Sequence, residues 1–143
     1  MRRILLFVLI VGCGSKNSET ESVEAGLVIP AGVYRMGKEI KAGVESPPTG
    51  TATVTVAAIG DGRTQFTISG ELESGYSCQP RIWVAAIGAN GDASSVERTQ
   101  ENCTVSMPKS AYEALKRNYR MSGTSFVERI TDGEAQLEFY YDK

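Results

Sequence analysis

Three cysteines, three aspartates beside glycines and no histidine set the chemistry open to this chain of 143 residues. Without histidine no Ser-His-Asp or Cys-His unit can form, and the usual histidine-based catalytic zinc sites are excluded as well. Carboxylate, lysine and tyrosine mechanisms are what remains among the common options. The candidate acid or base groups are Asp61, Asp92 and Asp132. Each stands next to glycine in a turn-type stretch, where aspartate is favoured because it tolerates the backbone geometry. A glycosidase-type pair needs two carboxyl groups at a fixed separation in a cleft, and no such pair stands out. A calcium loop needs several oxygen ligands at alternating positions, whereas residues 88–95 supply Asn90, Asp92 and two serines. The expectation is therefore no catalytic residue, no metal and no cofactor.

The first cysteine has a different context. Arg2 and Arg3 precede eight apolar residues, Ile4 to Val11, and then come Gly12, Cys13 and a polar stretch. Eight helical residues cover roughly 12 Å of a hydrocarbon core about 30 Å thick, too short for a transmembrane anchor. The run reads as a signal segment, residues 1–12, with the small Gly12 before the cleavage point. The order Ile10, Val11, Gly12, Cys13 resembles the lipobox of bacterial lipoproteins. That resemblance implies that Cys13 becomes the acylated N-terminus, carrying a thioether-linked diacylglycerol and an amide-linked acyl chain such as palmitate. Several buried acyl chains, at about 0.8 kcal/mol per methylene, hold a protein on a membrane far more firmly than one chain does. In diderm members of the family an Asp after the acylated cysteine retains the protein at the inner membrane. Gly14 stands there in this chain, which implies the outer membrane if the source is diderm.

Loss of Arg2 and Arg3 takes 15 basic residues to 13 against 17 acidic ones, a net charge of −4 for the mature chain. No basic stripe is available to neutralise phosphates, so nucleic-acid binding has no electrostatic support. With Cys13 acylated, Cys78 and Cys103 are left. An oxidising compartment favours a structural disulfide between them. A closed loop of about 26 residues stabilises by roughly 3.5 kcal/mol on the chain-entropy model. The alternative, a redox or metal pair, lacks both a CxxC spacing and further soft ligands.

These residues need a scaffold. Residues 14–24 are polar and without sustained period, which predicts a flexible tether with a reach of about 17 to 20 Å. From residue 25 to 143 the length fits a single domain with one core. Ile29 to Val33 is echoed by Ile40 to Val44, an offset of 11, which suggests a repeated glycine turn. The phrase from Ile29 to Val44 resembles small β repeats of secreted bacterial surface proteins, and no activity is drawn from it. Val33 to Met36 reads as a short strand. From Thr51 the period is two, with Ala52, Val54, Val56 and Ala58 on one side; Gly60, Asp61 and Gly62 then turn the chain into a return strand through Phe66 and Ile68. Ile82 to Ile87 is apolar throughout, as in a central strand covered on both faces. Thr104 to Met107 reads as a further strand that brings Cys103 beside the sheet.

A helix is predicted after Pro108, where Ser110 and Glu113 have capping-box spacing. Tyr112, Leu115 and Tyr119 would share its buried stripe, leaving Lys116, Arg117 and Arg120 in water. In a final hairpin around Asp132 and Gly133, Ala135, Leu137, Phe139 and Tyr141 form the apolar face. Tyr140 points outward, either as a cross-strand pair or as part of a binding face. Trp83 is expected in the core.

The sequence thus predicts a mainly β domain, a small sandwich or barrel-like antiparallel sheet with one short helix, stapled by Cys78 and Cys103. The functional expectation is an extracytoplasmic, lipid-anchored protein of the cell envelope, presenting a noncatalytic β domain to an envelope protein or a surface ligand. The alternative is an envelope hydrolase or hydrolase inhibitor acting on peptidoglycan or glycans, which would need convergent carboxylates.

Overall fold

Residues 25–143 are described by a computed structural model; the expected signal segment 1–12, Cys13 and the expected tether to residue 24 lie outside the described residues. Period-two alternation is converted into nine strands: β1 (Gly32–Lys41), β2 (Val44–Ser46), β3 (Thr53–Gly60), β4 (Arg63–Glu73), β5 (Tyr76–Ile87), β6 (Ala93–Cys103), β7 (Lys116–Ser122), β8 (Ser125–Asp132) and β9 (Ala135–Asp142). A short helix, α1 (Lys109–Ala114), separates β6 from β7. All strands belong to one antiparallel sheet in the order β6-β5-β4-β3-β1-β9-β8-β7, with β2 paired to the end of β1. Of the two expected architectures the barrel-like one is realised. The sheet curls until its edges approach, joined by the bridge between Asp92 and Asn118 and by the Tyr119 amide donating to the Gly91 carbonyl at 2.8 Å.

Alternation assigns one side of every strand to the interior. Tyr34, Val54, Val56, Phe66, Ile68, Trp83, Ala85, Tyr119, Phe126 and Tyr141 meet there. Phe66 is stacked between Trp83, at 5.2 Å, and Tyr119, at 5.0 Å; Phe126 stacks on Tyr141 at 4.8 Å and meets Tyr34 edge-on at 4.9 Å. Such aromatic pairs contribute about 0.5–1.5 kcal/mol each beyond area burial. Trp83 is buried, as the sequence predicts. Cys78 and Cys103 sit directly across from each other on β5 and β6 and are bonded.

Several expectations shift. The strand expected at Thr104–Met107 falls instead over Ala93–Cys103, a largely polar strand whose outer edge position demands no apolar face. Strand β5 lies second from that edge; its inward Trp83, Ala85 and Ile87 are buried, while on the other side Val84 is buried and Ile82 and Ala86 are half-buried, so the second face is covered only in part. The helix is shorter than predicted, begins from Pro108 without a side-chain cap, and stops at Ala114. Glu113 does not cap it but accepts the Arg98 amide at 2.7 Å. Tyr119 and Arg117 belong to strand β7, and Arg117 is buried instead of wet. The echo at offset 11 is not a repeated unit either. Its first copy opens strand β1, whereas Ala42 and Gly43 form the tight β1–β2 turn with positive φ at both positions.

Candidate functional site

Because neighbouring strands are antiparallel, the β1–β2, β4–β5 and β8–β9 turns gather at one end of the curled sheet, with the segment after β6. The β3–β4, β5–β6 and β7–β8 turns gather at the other. The aromatic stack fills the second end, where the Leu27 amide also donates to the Gly88 carbonyl. The first end is hollow. A cavity of about 830 Å³ enters it, within the range of roughly 300–1,000 Å³ usual for small-ligand sites.

Apolar side chains make its walls: Met36 of β1, Ile68 and Leu72 of β4, Ile130 of β8, Leu137 and Phe139 of β9. Lys41, Asp132 and Glu134 lie at the mouth with Val105 and Met107, two apolar residues left exposed after β6. Deeper, the lining becomes aromatic and charged, with Trp83, Tyr112, Tyr141, Arg81, Arg117 and Glu128.

The charged floor is built by alternation. Arg117 and Tyr119 are successive inward residues of β7, and Glu128 faces them from β8, where it pairs in register with Tyr119. Arg117 is 4% and Glu128 3% exposed. Arg117 Nη1 donates to the carbonyls of Tyr112, at 3.1 Å, and Leu115, at 3.4 Å. The guanidinium thus binds carbonyls at the point where the chain leaves α1. The Arg117 guanidinium also lies 4.3 Å from the Tyr112 ring centre, a favourable cation–π distance. Glu128 accepts from Tyr119 Oη at 2.8 Å and, at 3.5 Å, from Tyr141 Oη; Trp83 Nε1 in turn donates to Tyr119 Oη at 3.0 Å. Arg117 Nε is 3.4 Å from Glu128 Oε2, yet among the described residues Nε and Nη2 of Arg117 have no hydrogen-bond partner.

Burial sets the protonation of this cluster. It pushes the Glu128 carboxyl above its ordinary range, opposed by the Arg117 charge and the tyrosine hydroxyls. Tyr119 and Tyr141 are raised well above the usual phenol range by burial and then by the neighbouring Glu128 charge. Tyr112 is raised by burial against the pull of Arg117.

A second ion cluster flanks the same ring. Glu101 accepts Arg81 Nε at 2.6 Å and pairs with Arg98 Nη1 at 3.0 Å, and both guanidiniums lie 5.1 Å from Tyr112. The Cys78–Cys103 bond ties β5 to β6 near this end of the sheet.

The aspartates do not converge. Asp61 takes a positive φ in the β3–β4 turn and Asp132 closes β8 at the opposite end. Asp92 accepts the Asn90 and Asn118 amides, at 3.0 and 2.8 Å. Those amides already occupy the oxygens that a calcium loop would offer. Tyr140 is outward and engaged by Arg120, whose Nη2 donates to its hydroxyl at 3.0 Å, and by Lys38, 4.5 Å above its ring. Cys13 lies outside the described residues.

The cluster of Arg81, Arg117 and Glu128 is absent from the sequence-based candidates, although the sequence carried a signal for one member. In the alternation Phe126, Glu128, Ile130, a charge occupies a position whose neighbours on the same face are apolar. No known protein family, curated protein or solved structure matches the chain, so the site is read from its own geometry.

Proposed function

We propose that this protein is an extracytoplasmic lipoprotein of the cell envelope, held to its membrane by acylated Cys13, and that its β domain is a noncatalytic binding module for a surface ligand. The cavity is the observation that carries the reading: an apolar chamber of about 830 Å³ with a few polar groups gathered at its floor, the usual composition of a small-ligand site. The Leu27 amide joins Gly88 at the packed end, opposite the cavity. The hydrolase alternative has less support, because Asp61 and Asp92 lie at one end of the sheet and Asp132 at the other.

Two measurements test the two halves of the proposal. Metabolic labelling with a fatty-acid analogue is expected to mark the wild-type protein and not Cys13→Ser; equal labelling sinks the anchor. The full chain carrying Cys13→Ser is expected to enhance Nile red fluorescence, and Leu137→Trp, which fills the cavity, to abolish the effect. Enhancement unchanged by Leu137→Trp means that the dye sits elsewhere and removes the support for the cavity.

A further inference from the structure

Arg117 uses only one corner of its guanidinium. Nη1 is committed to the carbonyls of Tyr112 and Leu115, and the opposite edge, Nε with Nη2, has no hydrogen-bond partner among the described residues. That edge is buried, so a ligand reaches it only by parting the side chains around it; it carries two parallel N–H groups, the fork that matches the two oxygens of one carboxylate. Glu128, the nearest carboxylate, brings Oε2 to 3.4 Å from Nε, but that oxygen accepts its hydrogen bond from Tyr119, so Glu128 neutralises charge without hydrogen-bonding the fork.

Charge around the Tyr112 ring points the same way. Three guanidiniums, those of Arg81, Arg98 and Arg117, surround it, and two carboxylates, Glu101 and Glu128, oppose them. Glu113 is matched separately by Lys109 at 3.7 Å. The cluster is thus one negative charge short, and three of its members, Arg81, Arg117 and Glu128, line the bottom of a chamber whose walls are Met36, Ile68, Leu72, Leu137 and Phe139. In such low-dielectric surroundings an added anion interacts strongly with the excess cation.

We propose that the cavity takes a carboxylate-headed amphiphile, its hydrocarbon tail along the apolar wall and its carboxylate on the Nε–Nη2 edge of Arg117. This deepens the binding-module reading and rests on it. The tail supplies area-driven affinity that any apolar molecule would share. The headgroup supplies selectivity, because a ligand without two acceptor oxygens leaves the Arg117 edge unpaired.

The test uses the full chain carrying Cys13→Ser and three probes with one tail: palmitic acid, its methyl ester and the corresponding alcohol, each displacing a fluorescent fatty acid. Palmitate is expected to bind at least about tenfold more tightly than the ester or the alcohol, in keeping with a bidentate charged pair. In Arg117→Met the advantage is expected to vanish while the alcohol binds as before. Ester and alcohol binding as tightly as the acid overturns the headgroup assignment and leaves the binding-module reading standing. Failure of all three probes to bind overturns both. If Arg117→Met does not fold, the comparison of the three probes on the otherwise unaltered chain still decides the question.

Discussion

Arg117 and Glu128 face each other inside the sheet with Nε 3.4 Å from Oε2, but the carboxylate spends its hydrogen bonds on Tyr119 and Tyr141. Each charge is buried and each is the other's main counterion, which makes the pair costly to break and cheap to replace whole. Glu128→Ala, which strands Arg117, is expected to lower stability by about 3–5 kcal/mol. The double substitution Arg117→Met with Glu128→Leu is expected to recover most of that loss. Urea midpoints at constant slope measure both. A single variant as stable as the wild type would mean that the two groups do not depend on each other.

The same cluster dictates behaviour in alkali. Tyr112, Tyr119 and Tyr141 are all raised above the usual phenol range, chiefly by burial, so the folded state keeps protons that the unfolded chain releases near pH 10. With more protons bound to the folded state, stability is fully present below about pH 10 and falls as pH rises above it. Each tyrosine contributes up to about 1.4 kcal/mol per pH unit to that slope. Tyr119→Phe is expected to make the decline shallower, whatever it does to stability at neutral pH. An unchanged slope would show that Tyr119 titrates as freely as it does in the unfolded chain.

The fold was legible wherever alternation was strong. The β3–β4 hairpin and the β8–β9 hairpin announce themselves by apolar residues at every second position and by Gly-Asp turns, and the Cys78–Cys103 pair follows from counting once Cys13 is set aside. Strand β6 was hidden because Ser94 to Asn102 is mostly polar; an edge strand is held by its backbone ladder to β5, which leaves little trace in side-chain pattern. The site was hidden for a related reason. Tyr112, Leu115 and Tyr119 fit a helical stripe, so Arg117 was assigned to water, whereas the chain leaves the helix at Leu115 and restarts a period of two at Lys116. Local spacing cannot separate those readings. Tertiary contacts, here the Arg117 bonds to the carbonyls of Tyr112 and Leu115, settle the choice.

The Cys78–Cys103 bond joins partners that already face each other across β5 and β6, so its main effect falls on the unfolded chain. On the chain-entropy model its reduction is expected to cost roughly 3.5 kcal/mol. Because the sheet pairing itself survives, the reduced protein is expected to keep its far-ultraviolet circular dichroism while its thermal midpoint falls. Loss of that spectrum on reduction at room temperature would mean that the bond holds β6 in place instead of merely limiting the unfolded ensemble.

Gly91 sits at the seam where the edges of the sheet meet. Gly91 adopts φ +90°, its carbonyl receives the Tyr119 amide at 2.8 Å, and a Cβ on it would run into the Tyr119 backbone oxygen. Gly43, at φ +81°, has open space where its Cβ would lie. Both positions charge an L-residue for the backbone conformation, but only Gly91 adds a collision with the strand across the seam. Gly43→Ala is therefore expected to cost about 1 kcal/mol. Gly91→Ala is expected to cost about 1–3 kcal/mol and to speed hydrogen exchange at the Tyr119 amide. Exchange at Tyr119 is the sharper measurement, because it reads the seam directly. If Gly91→Ala leaves that amide as protected as Gly43→Ala does, the edges β6 and β7 are held together by α1 and the buried side chains, and the turn at Gly91 is incidental.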